Sequence, residues 1–280
     1  MSEFYSERSI HHCFGGQIGF YNHQSIETKT EMNFSVFIPA QSNYSKVPAL
    51  LYLAGLTCTE ETFMIKAGAL KLASEKGLAL LCPDTSPRGA NIEGEDADWD
   101  FGTGAGFYLD ATQSPWAENY RMYSYITKEF MKLVESSFPI DTGRVGIFGH
   151  SMGGHGALTL HLKNPTKFKT VSAFAPICAP TMCPWGEKAF SNYLGDNRDD
   201  WNEYDATQLM KTRSDGPKIL IDQGLADGFL KKELHPHLFE EACRKSGRPL
   251  TIRRHEKYDH GYYFISSFMS DHIDHHMEQL

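Results

Sequence analysis

Val145-Gly146-Ile147-Phe148-Gly149-His150-Ser151-Met152-Gly153-Gly154-His155-Gly156-Ala157-Leu158 reads as an apolar run, a glycine-flanked serine and a helical stretch in direct succession. Its middle, Gly149 to Gly153, matches G-x-S-x-G. Three small residues at fixed spacing arise by chance, so the pentapeptide alone decides little. The strand running in and the helix running out decide more. A sharp strand-to-helix turn exposes a serine hydroxyl, and glycines at the flanking positions let neighbouring backbones approach closely. The free N–H groups at the helix start face the same point, where negative charge develops when a carbonyl is attacked. Ser151 is therefore the candidate nucleophile. The plainer alternative is a glycine-rich turn with an incidental serine, and it is tested by whether partners follow.

Around that stretch, short and continuously apolar runs alternate with longer helical segments. The runs are 49–54, 78–82, 145–148, 171–174 and 218–221, with 250–254 as a more polar last strand. Candidate helices lie at 60–76, 116–138, 153–163 and 231–246, and another follows His260 to the C-terminus. Continuously apolar strands are buried on both faces, so this alternation predicts an α/β fold: a mostly parallel central sheet with helices on both faces. With the serine turn inside it, the expected architecture is the α/β-hydrolase fold, as one domain over 1–280. Before it, residues 10–21 read as a hairpin turning at Gly15-Gly16, and 32–38 as an early edge strand ending at Pro39. Two long excursions, 83–115 and 175–215, interrupt the alternation, and loops of that length in a compact domain are usually functional.

In this fold the acid and the histidine follow the nucleophile in chain order, each after a later strand. After the strand 218–221 come Asp222-Gln223-Gly224-Leu225-Ala226-Asp227. Asp222, at the strand end, is placed to fix the turn, whereas Asp227, on the loop, is placed to reach a histidine; both compete. Of the thirteen histidines, His260 alone sits after the last strand and starts the final helix. His255 lies in or at the end of that strand, His11 and His12 precede the nucleophile, and His150 and His155 flank it too closely to turn back. His272, His275 and His276 have i, i+3, i+4 spacing, but with no carboxylate or cysteine placed to complete a metal site they read as a solvated helix end.

The strand 50–53 runs into Ala54-Gly55-Leu56-Thr57-Cys58-Thr59. The loop after that strand supplies one oxyanion donor and the residue after the serine the other. The expected donors are the backbone N–H groups of Leu56 and Met152. Cys58 falls beside them as a bystander thiol, since a Cys–His pair would leave the serine turn unexplained.

Several stretches together carry a family resemblance over nearly the whole chain, from Asn33 onward. They are Leu53-Ala54-Gly55-Leu56-Thr57-Cys58-Thr59, the run from Trp99-Asp100-Phe101-Gly102 to Gly106-Phe107-Tyr108, the serine turn, Cys183-Pro184-Trp185-Gly186, Ile221-Asp222-Gln223-Gly224 and Tyr258-Asp259-His260. The chain resembles the S-formylglutathione hydrolases, a family also called esterase D. The resemblance implies hydrolysis of S-formylglutathione to glutathione and formate in formaldehyde detoxification, no cofactor, and the triad Ser151, Asp227 and His260. It departs from the family pattern at Ala54, Gly228 and Gly261, and two extra glycines beside triad members put loop rigidity in question rather than the reaction. A general carboxylesterase or acyltransferase on the same scaffold is the first rival, because these share nucleophile and oxyanion hole. A non-enzymatic binding protein is the second, and it would be expected to carry a damaged triad.

Composition narrows the setting. With 280 residues the chain can bury a large core. A net charge of −8 argues against general affinity for nucleic acid or anionic membranes. A glutathione substrate is itself anionic, so Lys66, Arg88 and Lys188 are candidate local cations. The N-terminal residues show no basic-then-apolar leader pattern, no apolar run is long enough for a bilayer, and six cysteines lack CxxC spacing. The expected setting is the cytoplasm, and the expected partners are a small-molecule substrate and further copies of the chain, in a dimer or tetramer.

Overall fold

Phe14 and Gly15 both have positive φ, 50° and 75°, the backbone of a tight hairpin turn whose twist matches its strands. They join β1 (Ser6–Cys13) to β2 (Gly16–Gln24) in a computed structural model that describes residues 4–213 and 215–280. β3 (Glu31–Ile38) completes an antiparallel meander. The remaining strands are β4 (Val47–Leu53), β5 (Ala79–Pro83), β6 (Ile140–His150), β7 (Thr170–Phe174), β8 (Ile219–Gly224) and β9 (Leu250–His255). One nine-stranded sheet results, in the order β1-β2-β3-β5-β4-β6-β7-β8-β9, parallel from β5 to β9. β4, β5, β7 and β8 are buried at every residue, which is why their sequences show apolar runs rather than alternation.

The helices are α1 (Glu60–Lys66), α2 (Ala69–Lys76), α3 (Met122–Ser124), α4 (Met131–Ser137), α5 (Met152–Lys163), α6 (Pro184–Leu194), α7 (Arg198–Trp201), α8 (Ala206–Leu209), α9 (Pro236–Ser246) and α10 (Tyr262–Met277). β4 pairs with β5 on one side and β6 on the other, so the connections diverge there. Open α/β sheets bind ligands at the carboxyl ends of strands where the order reverses, and both the serine turn and the loop after β4 lie at that point.

The structure corrects several expectations. β3 is interior, not an edge, because Pro39 falls one residue past the strand and removes no ladder bond; the edges are β1 and β9. The segment 60–76 divides into α1 and α2 at Gly68, whose φ is 69°. The helix expected at 116–138 begins as an isolated turn at Trp116–Glu118, and only Met122 onward is continuous, passing through a π-helical turn at Tyr125–Phe130. The segment 231–246 breaks at His235, which is left-handed (φ 47°) ahead of Pro236; proline disfavours right-handed helix in the residue before it. The excursion 175–215 carries α6, α7 and α8.

The C-terminal histidines are not a solvated helix end. His272 and His276 are fully buried against the sheet. His272 Nδ1 and His276 Nε2 lie 2.8 and 2.9 Å from the Ser172 hydroxyl, and His276 Nδ1 lies 2.5 Å from that of Thr170. His275 Nε2 donates to the Val171 carbonyl at 3.0 Å. These contacts engage the three rings with β7 and explain their i, i+3, i+4 spacing without a metal.

Burial pushes the imidazoles of His150, His155, His161, His272 and His276 below their ordinary value, His155 and His161 down to about 4. The unfolded chain takes up these protons near about pH 6.5, while the folded chain resists them to lower pH. Stability is therefore complete above that pH and declines as the pH falls, by up to about 1.4 kcal/mol per pH unit for each such histidine. Calorimetry from about pH 8 down to pH 5 should record a steadily falling Tm below about pH 6.5. A flat profile would show that these rings are not held neutral.

Candidate active site

β6 ends at His150 and α5 begins at Met152, leaving Ser151 alone in the turn with φ 58° and ψ −119°. Positive φ in a non-glycine residue is strained, and neighbours hold this one in place. Its N–H donates to the Phe174 carbonyl at 3.0 Å, and its carbonyl accepts from the N–H groups of His155 at 3.0 Å and Ile177 at 3.2 Å. The flanking glycines are demanded by space. A Cβ on Gly153 would lie 1.9 Å from the Leu53 carbonyl oxygen, and one on Gly149 would lie 2.2 Å from the Gly153 carbonyl oxygen.

The loop after β4 lies directly against this turn. A Cβ on Gly55 would come within 3.2 Å of both the His150 carbonyl oxygen and Ser151 Cβ. Among the described residues, no group occupies the N–H of Leu56 or of Met152, the two expected oxyanion donors. The rest of the loop is tied down. The Tyr108 hydroxyl donates to the Ala54 carbonyl at 2.7 Å, and the Thr57 N–H donates to the Gly104 carbonyl at 3.0 Å. The Thr85 hydroxyl and an Arg88 N–H donate to the Cys58 carbonyl at 2.7 and 3.3 Å.

All four anchors come from the excursion 83–115. Sequence reasoning marked that segment as functional but singled out of these residues only Arg88, and as a substrate cation rather than an anchor; the dense Gly and aromatic run from Trp99 to Tyr108 was the available signal. Arg88 is committed elsewhere than to substrate, since it grips Asp84 through two nitrogens at 2.7 and 2.9 Å. Lys188 is likewise paired with Asp100 at 2.5 Å and Asp98 at 2.9 Å. Of the three candidate cations, Lys66 alone forms no ion pair among the described residues.

Asp227 and His260 meet although thirty-three positions separate them. Two backbone bonds join their loops: the Leu225 N–H donates to the His255 carbonyl, and the Ala226 N–H to the Tyr258 carbonyl, each at 2.9 Å. Asp227 Oδ2 accepts from His260 Nδ1 at 2.6 Å and from the Gln223 amide at 3.2 Å, while Oδ1 accepts from the Phe229 N–H at 2.8 Å. The carboxylate is wholly buried, whereas the His260 ring is partly open to solvent. An ionised Asp227 makes Nδ1 the donor and leaves Nε2 with the lone pair, the state a general base requires. Among the described residues, the link from His260 to the Ser151 hydroxyl is not closed as a hydrogen bond. Unliganded sites often leave such contacts long until substrate binds.

Asp222 has a different setting. Arg253 holds it through Nε and a terminal nitrogen at 2.6 and 2.5 Å, and His272 Nε2 contacts it at 3.2 Å. Burial alone would raise its pKa, but the hydrogen bonds from His272 and Arg253 outweigh that and hold the carboxyl well below the usual range. It therefore joins β8, β9 and α10 at the strand end.

An aromatic wall, unread in the sequence, runs outward from His260. Phe229 lies 5.0 Å from the His260 ring centre, Trp185 4.7 Å from Phe229, and the exposed Trp99 5.6 Å from Trp185. Trp99 and Trp185 stood in the stretches that carried the resemblance; Phe229 offered no signal. Cys58 packs beside Tyr262, and burial pushes its thiol up despite hydrogen bonds from Tyr262 and Thr62, so it is a poor thiolate. Among the described residues, no group of His, Cys, Asp and Glu side chains is arranged to hold a metal ion, and no helix is long and apolar enough to cross a membrane.

The chain is similar to known proteins over nearly its whole length. The Esterase family model matches residues 25–275. An S-formylglutathione hydrolase of Rattus norvegicus is 54% identical over 275 residues, 97% of each chain. One from Arabidopsis thaliana is 53% identical over 95% of each. The structure of an S-formylglutathione hydrolase from Agrobacterium tumefaciens superposes with a TM-score of 0.96 at 50% identity, covering 98% of this chain and 99% of that one. An α/β-hydrolase sheet, a serine turn at its switch point and this degree of identity lead to one statement: the chain belongs to the S-formylglutathione hydrolase family of esterases.

Proposed function

We propose that this chain hydrolyses S-formylglutathione to glutathione and formate, as part of formaldehyde detoxification, and that Ser151, His260 and Asp227 carry the reaction. The observation that supports this most is the 54% identity to the rat S-formylglutathione hydrolase across 97% of both chains. The proposal extends to small carboxylic esters as a side activity, because the same attack opens an ester carbonyl. It also places the protein in the cytoplasm, which suits its six free cysteines, as a dimer or tetramer.

In this mechanism His260 Nε2 takes the hydroxyl proton as Ser151 Oγ attacks the formyl carbon. The carbonyl oxygen becomes an oxyanion and accepts from the N–H groups of Leu56 and Met152. Collapse of the intermediate breaks the C–S bond and releases glutathione, whose sulfur takes up the proton from His260 Nε2 as it departs or just after, so that His260 is a base again. A thiolate leaves readily because its conjugate acid is far stronger than an alcohol, so protonation of the leaving sulfur matters less than in ester cleavage. Water then attacks the formyl-serine, giving its proton to His260 Nε2, and formate departs as Ser151 regains a proton. Asp227 holds the ring orientation and balances the imidazolium charge throughout. The chemistry calls on no cofactor.

Asp227→Asn should lower kcat by about 10⁴, the typical result of presenting a triad histidine in the wrong tautomer. Asp222→Asn should instead lower Tm while leaving most of kcat, because it loosens β8 from β9 and α10. An inactive, stable Asp222→Asn beside an active Asp227→Asn reverses the assignment.

Thiol reagents should inhibit slowly at neutral pH and faster as the pH rises, because the Cys58 thiol is pushed up by burial. Cys58→Ala should remain active and resist them. If that variant folds but is inactive, Cys58 takes part in the reaction itself.

A formyl carbonyl carries only hydrogen, so a site built for it can close tightly on the acyl side. Each added methylene should meet packed atoms and cost about 1–3 kcal/mol. With the leaving group fixed, kcat/KM should fall steeply from formyl through acetyl to butyryl. S-formylglutathione should also outrun a formyl thioester of a simple thiol, since remote contacts contribute to transition-state binding. A flat acyl profile together with indifference to glutathione identifies a general carboxylesterase instead.

A further inference from the structure

His150 is the residue between Gly149 and the nucleophile, and its environment is unusual. Its ring is buried, and neither ring nitrogen finds a partner of full hydrogen-bond geometry among the described residues; its one weak polar contact is with the backbone of His260 itself. Buried polar atoms are nearly always well paired, so an imidazole this poorly paired at this position calls for a reason. Its closest ring neighbour is His260, with ring centres 4.4 Å apart and planes inclined by 47°. On its other sides it meets Tyr262, whose ring centre is 6.2 Å away, and the backbone of Gly55.

We propose that His150 is a positioning residue for His260, a neutral aromatic face that fixes the ring's tilt and favours its protonated state during catalysis. His260 is held at Nδ1 by Asp227 and packed by Phe229 at 5.0 Å. His150 supplies the remaining constraint, so the ring cannot swing about the Asp227 bond. When His260 takes the serine proton it becomes a cation lying close to the π-electrons of a neutral ring, which attract it. That attraction requires His150 itself to stay uncharged, and burial, then the neighbouring His260, hold its pKa well below the ordinary value. No partner outside the His260 loop anchors the ring elsewhere. The other titratable groups around the pair are Asp227 on the loop after β8, Asp259 on the loop after β9, Tyr262 on α10 and Cys58 on the loop after β4. Asp259 bonds the Gly261 N–H at 2.9 Å, and Cys58 and Tyr262 bond each other.

The inference rests on the triad assignment, so the test separates the two. Labelling of Ser151 by a fluorophosphonate in the unaltered protein reports on the triad; failure to label it overturns that reading, and this inference with it. Given labelling, His150→Leu should lower kcat about 10- to 100-fold with KM within about twofold, and should move the acid limb of the kcat/KM profile to lower pH. The direction follows because removing the aromatic face makes the protonated His260 less favourable. His150→Phe, which keeps a ring but has no nitrogen, should retain most of kcat and the parental limb. A Leu variant with parental kcat and pH profile, or a Phe variant as impaired as the Leu variant, overturns the proposal. Should either variant fail to fold, imidazole nitrogen shifts in the unaltered protein decide the matter. His150 must read neutral from about pH 8 to pH 5, and its protonation within that range overturns the role.

Discussion

Backbone crowding between the ends of β4 and β6 is the constraint on which the rest of the site depends. The Leu53 carbonyl oxygen occupies the space where a side chain at Gly153 would begin, and it also lies 2.6 Å from where a Cβ at Gly149 would be. Two strands, a turn and a helix start are thus pressed together with no side chains between them. That closeness brings the loop after β4 against Ser151. Nothing in this arrangement is adjustable by side-chain rotation, because the participating atoms are backbone.

Backbone donors are only as well placed as the loop that carries them. The loop after β4 contains Thr57 in the left-handed region, with φ 66°, and it does not hold that shape unaided. Tyr108, Gly104, Thr85 and Arg88 each bond it from outside, and Thr59 closes it by capping α1. Phe101 in turn stacks on Tyr193 of α6 at 4.7 Å, fastening the excursion to the body of the protein. Preset donors stabilise a developing charge because they need not reorganise when it appears. A long segment without extended regular structure thereby serves the most rigid part of the proposed mechanism.

This division explains what was legible in the sequence. The serine turn, the parallel sheet and the Asp227–His260 pair each leave a local mark: flanking glycines, apolar runs, and position after a strand. The anchors of the loop after β4 leave a fainter one, since outside the run from Trp99 to Tyr108 a residue such as Thr85 looks like any polar loop residue until the chain has folded. The C-terminal histidines misled for a related reason. Three imidazoles near a chain end read as solvated, yet Ser172 and Thr170 on β7 provide the hydroxyls that let His272 and His276 be buried. Helix ends were misplaced where a single residue, Gly68 or His235 before Pro236, takes a left-handed conformation that periodicity does not register.

Asp222 and Asp227 show how environment, rather than residue type or depth, sets the role of a carboxylate. Both are buried, and five positions separate them at one end of β8. Asp222 is gripped by the guanidinium of Arg253, a charge present at every working pH, so its negative charge is already balanced. Another proton moving nearby would gain little from it. Asp227 has no permanent cation against it among the described residues; its partners are a backbone N–H, an amide and an imidazole. Its charge is oriented by those donors but left uncompensated. A cation formed at His260 would therefore receive nearly all of its attraction, in a buried setting where solvent screens it little. One carboxylate thus has its charge spent on architecture, while the other, in the proposed mechanism, stays available for a charge that exists only during the reaction.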